Sequence, residues 1–266
     1  MKGLYLYCIR QKGRSEFFGK GIDRGRILVL PYQDLEAVIS RVSLEKFTSE
    51  KIQRKAQEDL KWITKKAEIH EQVVEQAMGK NRGIPVIPMQ FGVIFKTKES
   101  LEENLKKLYE QFKKSLKNLV GKQEWGVKVF LKENIFKKSI ARKNKAVLVK
   151  NKKIESMSRG EAFFVQKEID AIIEQIKDKK LDRIIKNIYE SAGQIALNKN
   201  KSKLLAKEFT GRPEEMILNA FYLLKDAKLA RFQNKIKKIK EKYNSQGLDI
   251  EMTGPWPCYH NYERSE

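Results

Sequence analysis

Chemistry in a protein needs groups that titrate, attack or ligate, and this chain has few of the usual ones. It holds two histidines, His70 and His260, and two cysteines, Cys8 and Cys258. His70 falls between Ala67 and Val74 on an apolar helical stripe, which favours a packed histidine with one hydrogen-bond partner over a catalytic base. His260 lies six residues from the last residue given, a poor place for a preorganised base. No H-x-x-x-H or C-x-x-C spacing exists, so no metal site is expected. Gly19-Lys20-Gly21 and Gly79-Lys80-Asn81-Arg82-Gly83 lack the dinucleotide and P-loop patterns and read as turns, so no cofactor is expected either. G-x-S-x-G is absent, and Cys8 sits in an apolar strand pattern without a base nearby in sequence. Glu71, Glu75, Glu102 and Glu103 fall on helix faces at helical spacing from Lys and read as solvated. The residues argue for no reaction.

Two stretches stand out for another reason. Ile84–Phe95 carries Pro85, Pro88 and Gly92 in a β-like run, which restricts it to a sheet edge or bulge and permits a close backbone approach at Gly92. Thr253-Gly254-Pro255-Trp256-Pro257-Cys258-Tyr259 holds large amphipathic rings between prolines, an extended segment suited to docking on its own chain or on a partner.

The elements that must position these stretches follow from periodicity. Residues 4–9, 27–30 and 35–42 read as strands, with Pro31 between the last two. Ile52, Ala56, Leu60, Ile63, Ala67, His70, Val74 and Ala77 draw one stripe along a single helix of about seven turns, capped at Thr48 or Ser49 and closed by Gly79. A second helix is expected to open at Ser100, with Glu103 completing a capping box, and to run to Gly121. Trp125–Leu131 alternates as a strand. Lys137–Lys153 holds eight cations and no acid in 17 residues and reads as a solvated arm or loop. A helix over 160–190, a weak strand at 194–197, an apolar strand at 216–224, a helix capped by Asp226 and a strand at 248–252 complete the order. The class is therefore α+β in two domains, 1–121 and 122–266. The second has the β-α-β-β-α-β order of a ferredoxin-like sandwich and carries the aromatic tail.

Composition bounds the function. The 266 residues suit two ordinary domains, and a 41% hydrophobic share is enough for real cores. No run approaches the ~18 apolar residues of a membrane helix, and the apolar segment near Met1 is too short for a signal peptide. With cysteines this sparse, a soluble protein of a reducing cytoplasm is the expectation. The net charge is +22, with +9 in residues 1–120 and +13 in the remainder, so no single tail accounts for it. Such a field attracts polyanions and acidic surfaces. Only 13 of the 56 cations are Arg, which disfavours base and phosphate readers.

The two unusual stretches, with two others, resemble the gas vesicle protein GvpF/GvpL family in the family's own order. Ala67–Val74 leads to Pro88-Met89-Gln90-Phe91-Gly92-Val93-Ile94-Phe95, which is similar to P-x-x-F-G-T-V-F. Gln123–Val129 resembles E-W-G-V-K-V, Leu218–Leu224 resembles L-N-A-A-Y-L-V, and Thr253–Tyr259 resembles T-G-P-W-P-P-Y. Gln90 stands where relatives usually carry Arg, Val93 replaces a small hydroxyl residue, and Cys258 replaces the second tail proline. The resemblance implies a non-enzymatic accessory protein, a minor vesicle component. It would bind the small hydrophobic shell protein and other accessory gas vesicle proteins, prevent aggregation and help nucleate assembly. It also implies two α+β domains, the C-terminal one ferredoxin-like.

The candidate partner-binding residues are Pro88, Gln90, Phe91 and Phe95 on the edge segment, Phe232, Ile236 and Ile239 on the basic helix 227–243, and Pro255, Trp256 and Tyr259 on the tail. On this reading the positive field recruits an acidic patch on the shell protein, so that salt slows association more than it speeds dissociation. The alternative is a basic nucleic-acid-binding protein using Lys137–Lys153 and Lys235–Lys242, with steep salt dependence. The lack of interleaved aromatics near those runs counts against it.

Overall fold

The computed structural model describes residues 1–13, 15–79 and 82–260. The chain divides into two compact units, Met1–Glu124 together with the residues from Pro255 onward, and Trp125–Gly254. The tail, placed with the second domain on sequence grounds, thus groups with the first, for the hydrogen-bonding reasons given below.

In the first unit, β1 (Lys2–Gln11), β2 (Ile27–Tyr32), β3 (Leu35–Ser43) and β4 (Val86–Pro88) form a sheet of order β2-β3-β1-β4, with the short β5 (Ile94–Phe95) also pairing β1. β1 is flanked on both sides and touched by helices, which is why it reads as an almost unbroken apolar run. Pro31 is tolerated because β2 lies at the edge. The β1–β3 register slips between Leu6 and Cys8, leaving Tyr7 in a bulge. Its hydroxyl then bonds Ser40 Oγ at 2.8 Å and accepts the Ile22 N–H at 2.7 Å.

The long helix expected after β3 is two helices, α1 (Ser49–Glu58) and α2 (Leu60–Ala77). Asp59 leaves helical geometry between them and caps the second, its Oδ1 accepting the Trp62 N–H at 2.9 Å. A continuous apolar stripe cannot reveal such a break, because a capping carboxylate competes locally with the helical ladder. Thr48 caps α1, as one of the two expected candidates. Lys80 and Asn81 of the expected turn lie outside the described residues, as do the side chains of Ala56 and Leu60. Helix α3 (Lys98–Leu119) starts earlier than expected: Thr97 is its cap, and the reciprocal box is made with Ser100 rather than Glu103. Leu101, Leu105, Phe112, Leu116 and Leu119 form its buried stripe.

In the second unit, β6 (Lys122–Leu131), β7 (Asn198–Lys201), β8 (Glu215–Lys225) and β9 (Leu248–Trp256) form a sheet of order β7-β8-β6-β9. The expected weak strand thus lies four residues later. The cationic stretch expected as a solvated arm is instead helical, as α4 (Glu133–Ala141) and α5 (Lys145–Ile154). Phe136, Ile140 and Val147 are buried there, and Lys is a good helix former whose charge can stay outside. The missing acids come from α6 (Arg159–Gly193): Lys137 pairs with Glu174, and Lys150 with Glu168. The second half of α6 meets β8, where the Tyr222 hydroxyl donates to the Tyr189 carbonyl at 3.3 Å. Short α7 (Lys207–Thr210) precedes β8, and α8 (Leu229–Asn244) follows a 3-10 turn at Asp226–Lys228 that carries no side-chain cap. Gly247 leads into β9 at φ +85°, where a Cβ would collide with the Phe136 amide and the Lys132 carbonyl.

Candidate functional site

His70 and the candidate residues of the edge segment and the tail all fall in the first unit, around β1 and α2. β1 presents Tyr5, Tyr7 and Cys8 to α2, and His70 meets them from the helix. The Tyr5 hydroxyl bonds His70 Nδ1 at 2.9 Å and accepts the Gly92 N–H at 3.0 Å. Phe91 stands edge-on to both, 6.1 Å from the Tyr5 ring and 5.9 Å from His70. Gly92 takes φ +95°, a backbone conformation that L side chains rarely adopt, so glycine lets the loop close over Tyr5. Met89 N–H donates to the Tyr7 carbonyl and Leu6 N–H to the Val93 carbonyl, which completes the loop's attachment. Burial depresses the His70 imidazole to about 4, partly opposed by the Met89 backbone, so it is neutral at pH 7. Its Nε2 is buried without a hydrogen-bond partner.

A polar seam runs beside this aromatic cluster. Glu71, next to His70, has its carboxyl pushed up to about 7, first by burial and then by Glu75 and Glu124; Tyr259 and Arg82 oppose the shift. Neither Glu71 Oε1 nor the Tyr259 hydroxyl completes a hydrogen bond, although each perturbs the other's titration. Arg82 pairs with Glu75 at 3.0 Å and donates to the Pro255 carbonyl. Glu124 is fully buried, and its Oε1 is 3.0 Å from His260 Nδ1. Cys8 and Cys258 are free, buried thiols; burial pushes Cys8 up to about 12 and also raises Cys258, so neither is a poised nucleophile.

Arg10 anchors the other end of β1. Only 2% exposed, it meets Glu36 Oε2 through Nε at 2.9 Å and Nη2 at 2.8 Å, and it donates to the carbonyls of Ala77 and Gly13 and to Ser15 Oγ. It thereby holds the last turn of α2 against β1. No group of three or more His, Cys, Asp and Glu could hold a metal ion among the described residues.

With this geometry established, sequence comparison decides the lineage. The model of the family "Gas vesicle synthesis protein GvpL/GvpF" matches residues 3–261. The chain belongs to this family. Gas vesicle protein L1 of Halobacterium salinarum is 22% identical over 264 residues, covering 97% of this chain and 89% of that protein. Gas vesicle protein F1 of the same organism is 22% identical over 260 residues, 97% of this chain and 92% of the relative. The crystal structure of GvpF from Anabaena sp. PCC7120 superposes with a TM-score of 0.70 at 19% identity, covering all of both chains. GvpF from Microcystis aeruginosa gives 0.62 at 20% identity, with 97% and 98% covered. At these identities the structural likeness speaks for the fold.

Within this GvpL/GvpF chain the ten candidate residues have different fates. Pro88 is buried opposite Cys8, Gln90 is exposed, and Phe91 and Phe95 are half-buried, the last opposite Leu4. Pro255 and Trp256 are half-buried. Tyr259 lies within electrostatic reach of Glu71, Cys8 and Tyr5, so the tail is docked on its own unit. Phe232, Ile236 and Ile239 are core residues of the second unit, with the Phe232 ring 5.3 Å from Tyr222. As a free docking face that helix is corrected: its apolar stripe is already covered, because the strand pattern beside it supplies the matching apolar face. Glu71 is corrected too, being half-buried and not solvated, and His260 is an ordered partner of Glu124 despite its place in the tail.

The sequence reading missed Arg10, Arg82 and Glu124. Arg10 and Glu124 each lie just beyond the apolar pattern of an expected strand, where a charge gives no sign that it will be buried. Arg82 carried no signal either.

Proposed function

We propose that this chain is a non-enzymatic accessory protein of gas vesicle formation. It binds the small hydrophobic shell protein and other accessory gas vesicle proteins, keeps shell subunits from aggregating and helps to nucleate the vesicle wall. The observation that carries the reading is the match to the gas vesicle synthesis family over residues 3–261. The site chemistry supports it: the buried imidazole is neutral, the thiols are inert, and the polar seam is spent on holding the tail.

A soluble carrier of an apolar subunit needs apolar surface inside a charged exterior. Leu148 and Val149 on α5 and Phe163 and Phe164 on α6 are exposed at 42–68%, set among Lys145, Lys152, Lys153 and Lys167. They replace the covered α8 stripe as the surface on which shell protein docks. Among the described residues no helix is long and apolar enough to cross a membrane. The family match supports a place at the gas vesicle. The second unit is ferredoxin-like, a reading supported by the order β7-β8-β6-β9 with helices between β6 and β7 and between β8 and β9.

The test is co-expression with the shell protein, followed by pull-down at low and high salt with nuclease treatment. Shell protein recovered soluble and retained after nuclease upholds the reading. Shell protein that still aggregates, while only nucleic acid is retained, overturns it in favour of the basic-surface alternative. A polar double substitution, F163S/F164S, should lower retention without lowering Tm, since both rings are exposed.

A further inference from the structure

We propose that the hollow beside Trp62 and Phe47 is a binding site for a compact polyphosphate, recognised by its charge and not by a base. A cavity of about 380 Å³ opens there between the segment after β3, α1 and α2, within the size range of ligand sites. Lys46, Lys51, Arg54, Lys55 and Lys66 line it against two acids, Asp23 and Glu45. A second hollow of about 300 Å³ shares Trp62 and Lys66 and adds Lys20, Arg24 and Lys65 with no acid at all.

The two acids are partly engaged elsewhere. Asp23 Oδ2 accepts the Ser43 N–H at 3.0 Å, and Glu45 faces the N-terminal amine at 3.8 Å. Arg54 reaches Glu58 only at the 4.0 Å limit, and Lys51 donates to the Glu45 carbonyl. Lys66 loses proton affinity, first through burial and then through Lys65, Arg24 and Lys55, with Asp23 opposing. Crowded ammonium groups at the mouth of a concave surface repel one another, and a multivalent anion placed among them reverses the sign of that interaction. Lysines on flexible stems can follow the charges of phosphoryl oxygens as point charges, and the planar fork of Arg54 can take a phosphoryl group in bidentate fashion.

The aromatic wall decides against a base. Phe47 stacks on Trp62 with centroids 6.0 Å apart and planes at 27°, and Lys55 Nζ sits 4.9 Å from the Trp62 centroid. Lys66 Nζ lies 5.9 Å from the Phe47 ring. These contacts occupy the rings on which a nucleobase or an apolar peptide anchor would otherwise rest. This inference does not depend on the vesicle reading, and either can fail alone.

The test is calorimetric titration of the full chain with inorganic tripolyphosphate at physiological salt. The site variant is K55Q/K66Q, and K152Q/K153Q on α5 removes the same charge from another surface. Tripolyphosphate should bind the wild type and the α5 variant alike and the site variant at least about tenfold more weakly. Equal weakening of both variants would mean a general field and overturns the site. Adenosine triphosphate binding about tenfold tighter than tripolyphosphate means a base is read, and an octaglutamate peptide binding as tightly means an acidic segment is preferred; each outcome overturns the class. If K55Q/K66Q fails to fold, K46Q/K51Q, at exposed positions, serves in its place.

Discussion

The fully buried carboxylate of Glu124 lies 3.0 Å from Nδ1 of His260, 136 residues away in sequence. The His260 backbone N–H adds a second contact to Oε2 at 3.3 Å. With the Arg82–Pro255 contact, this pair ties both ends of the tail segment to the first unit. Leaving a buried hydrogen-bonding group without its partner costs about 1–3 kcal/mol. His260→Ala should therefore lower stability by about 1–3 kcal/mol and expose the peptide bonds after Gly254 to limited proteolysis. Unchanged protection of the tail would show that the pair is not what holds it.

Glu71 supplies a pH signature. Its carboxyl titrates at about 7 in the fold, above its ordinary 4.5, because burial favours the neutral acid. Between those values the folded state binds more protons than the unfolded one, so this group's contribution falls as pH rises through that window and stays low above it. Glu71→Gln, which keeps the shape without the charge, should stabilise the protein at pH 8 by about 1–3 kcal/mol and have little effect near pH 4.5. His70 works in the opposite sense. Its folded value of about 4 lies below 6.5, so its contribution is present at neutral pH and lost as pH falls through that interval. Thermal melts of Glu71→Gln against wild type across pH 5–8 isolate the Glu71 effect; a constant difference in Tm would contradict it.

The Tyr5 hydroxyl joins three elements at once, bonding His70 on α2 and the Gly92 N–H on the loop from its own place in β1. Tyr5→Phe keeps the packing but leaves a buried N–H and a buried imidazole nitrogen without a partner. The expected cost is about 1–3 kcal/mol. Hydrogen exchange should quicken at Gly92 and its neighbours before it quickens in β3. Faster exchange spread evenly over the sheet would place the role elsewhere.

Phe232 separates a core helix from a docking helix. Fully buried against Tyr222, it should cost about 3–5 kcal/mol when cut to Ala. A docking residue would leave Tm unchanged and weaken only partner binding. Chemical denaturation of Phe232→Ala distinguishes the two without any partner present.

Much of this protein is legible from sequence alone, because the signals involved are local. Apolar period sets the class of β1, β3, α3, β6, β8 and α8, and Pro31 marks an edge strand. The ordered motifs from Ala67 to Tyr259 identify the family. What periodicity cannot carry is which apolar stripe meets which other one. The α8 stripe looks like a docking face until the strands of its own sheet cover it, and Lys137–Lys153 looks like a loop until acids from α6 neutralise part of its charge. Side-chain burial is likewise a property of the assembled fold: Glu71 and Glu75 share one helix at similar spacing from lysines, yet burial pushes Glu71 toward neutrality, whereas Glu75 is the one that pairs with Arg82. Glu124, Arg82 and His260 acquire roles only when residues up to 136 positions apart are brought within hydrogen-bond distance. Local pattern therefore determined the elements and the lineage. Tertiary contact alone decided which charges are buried and where the tail rests, because desolvation and pairing depend on neighbours distant in the chain.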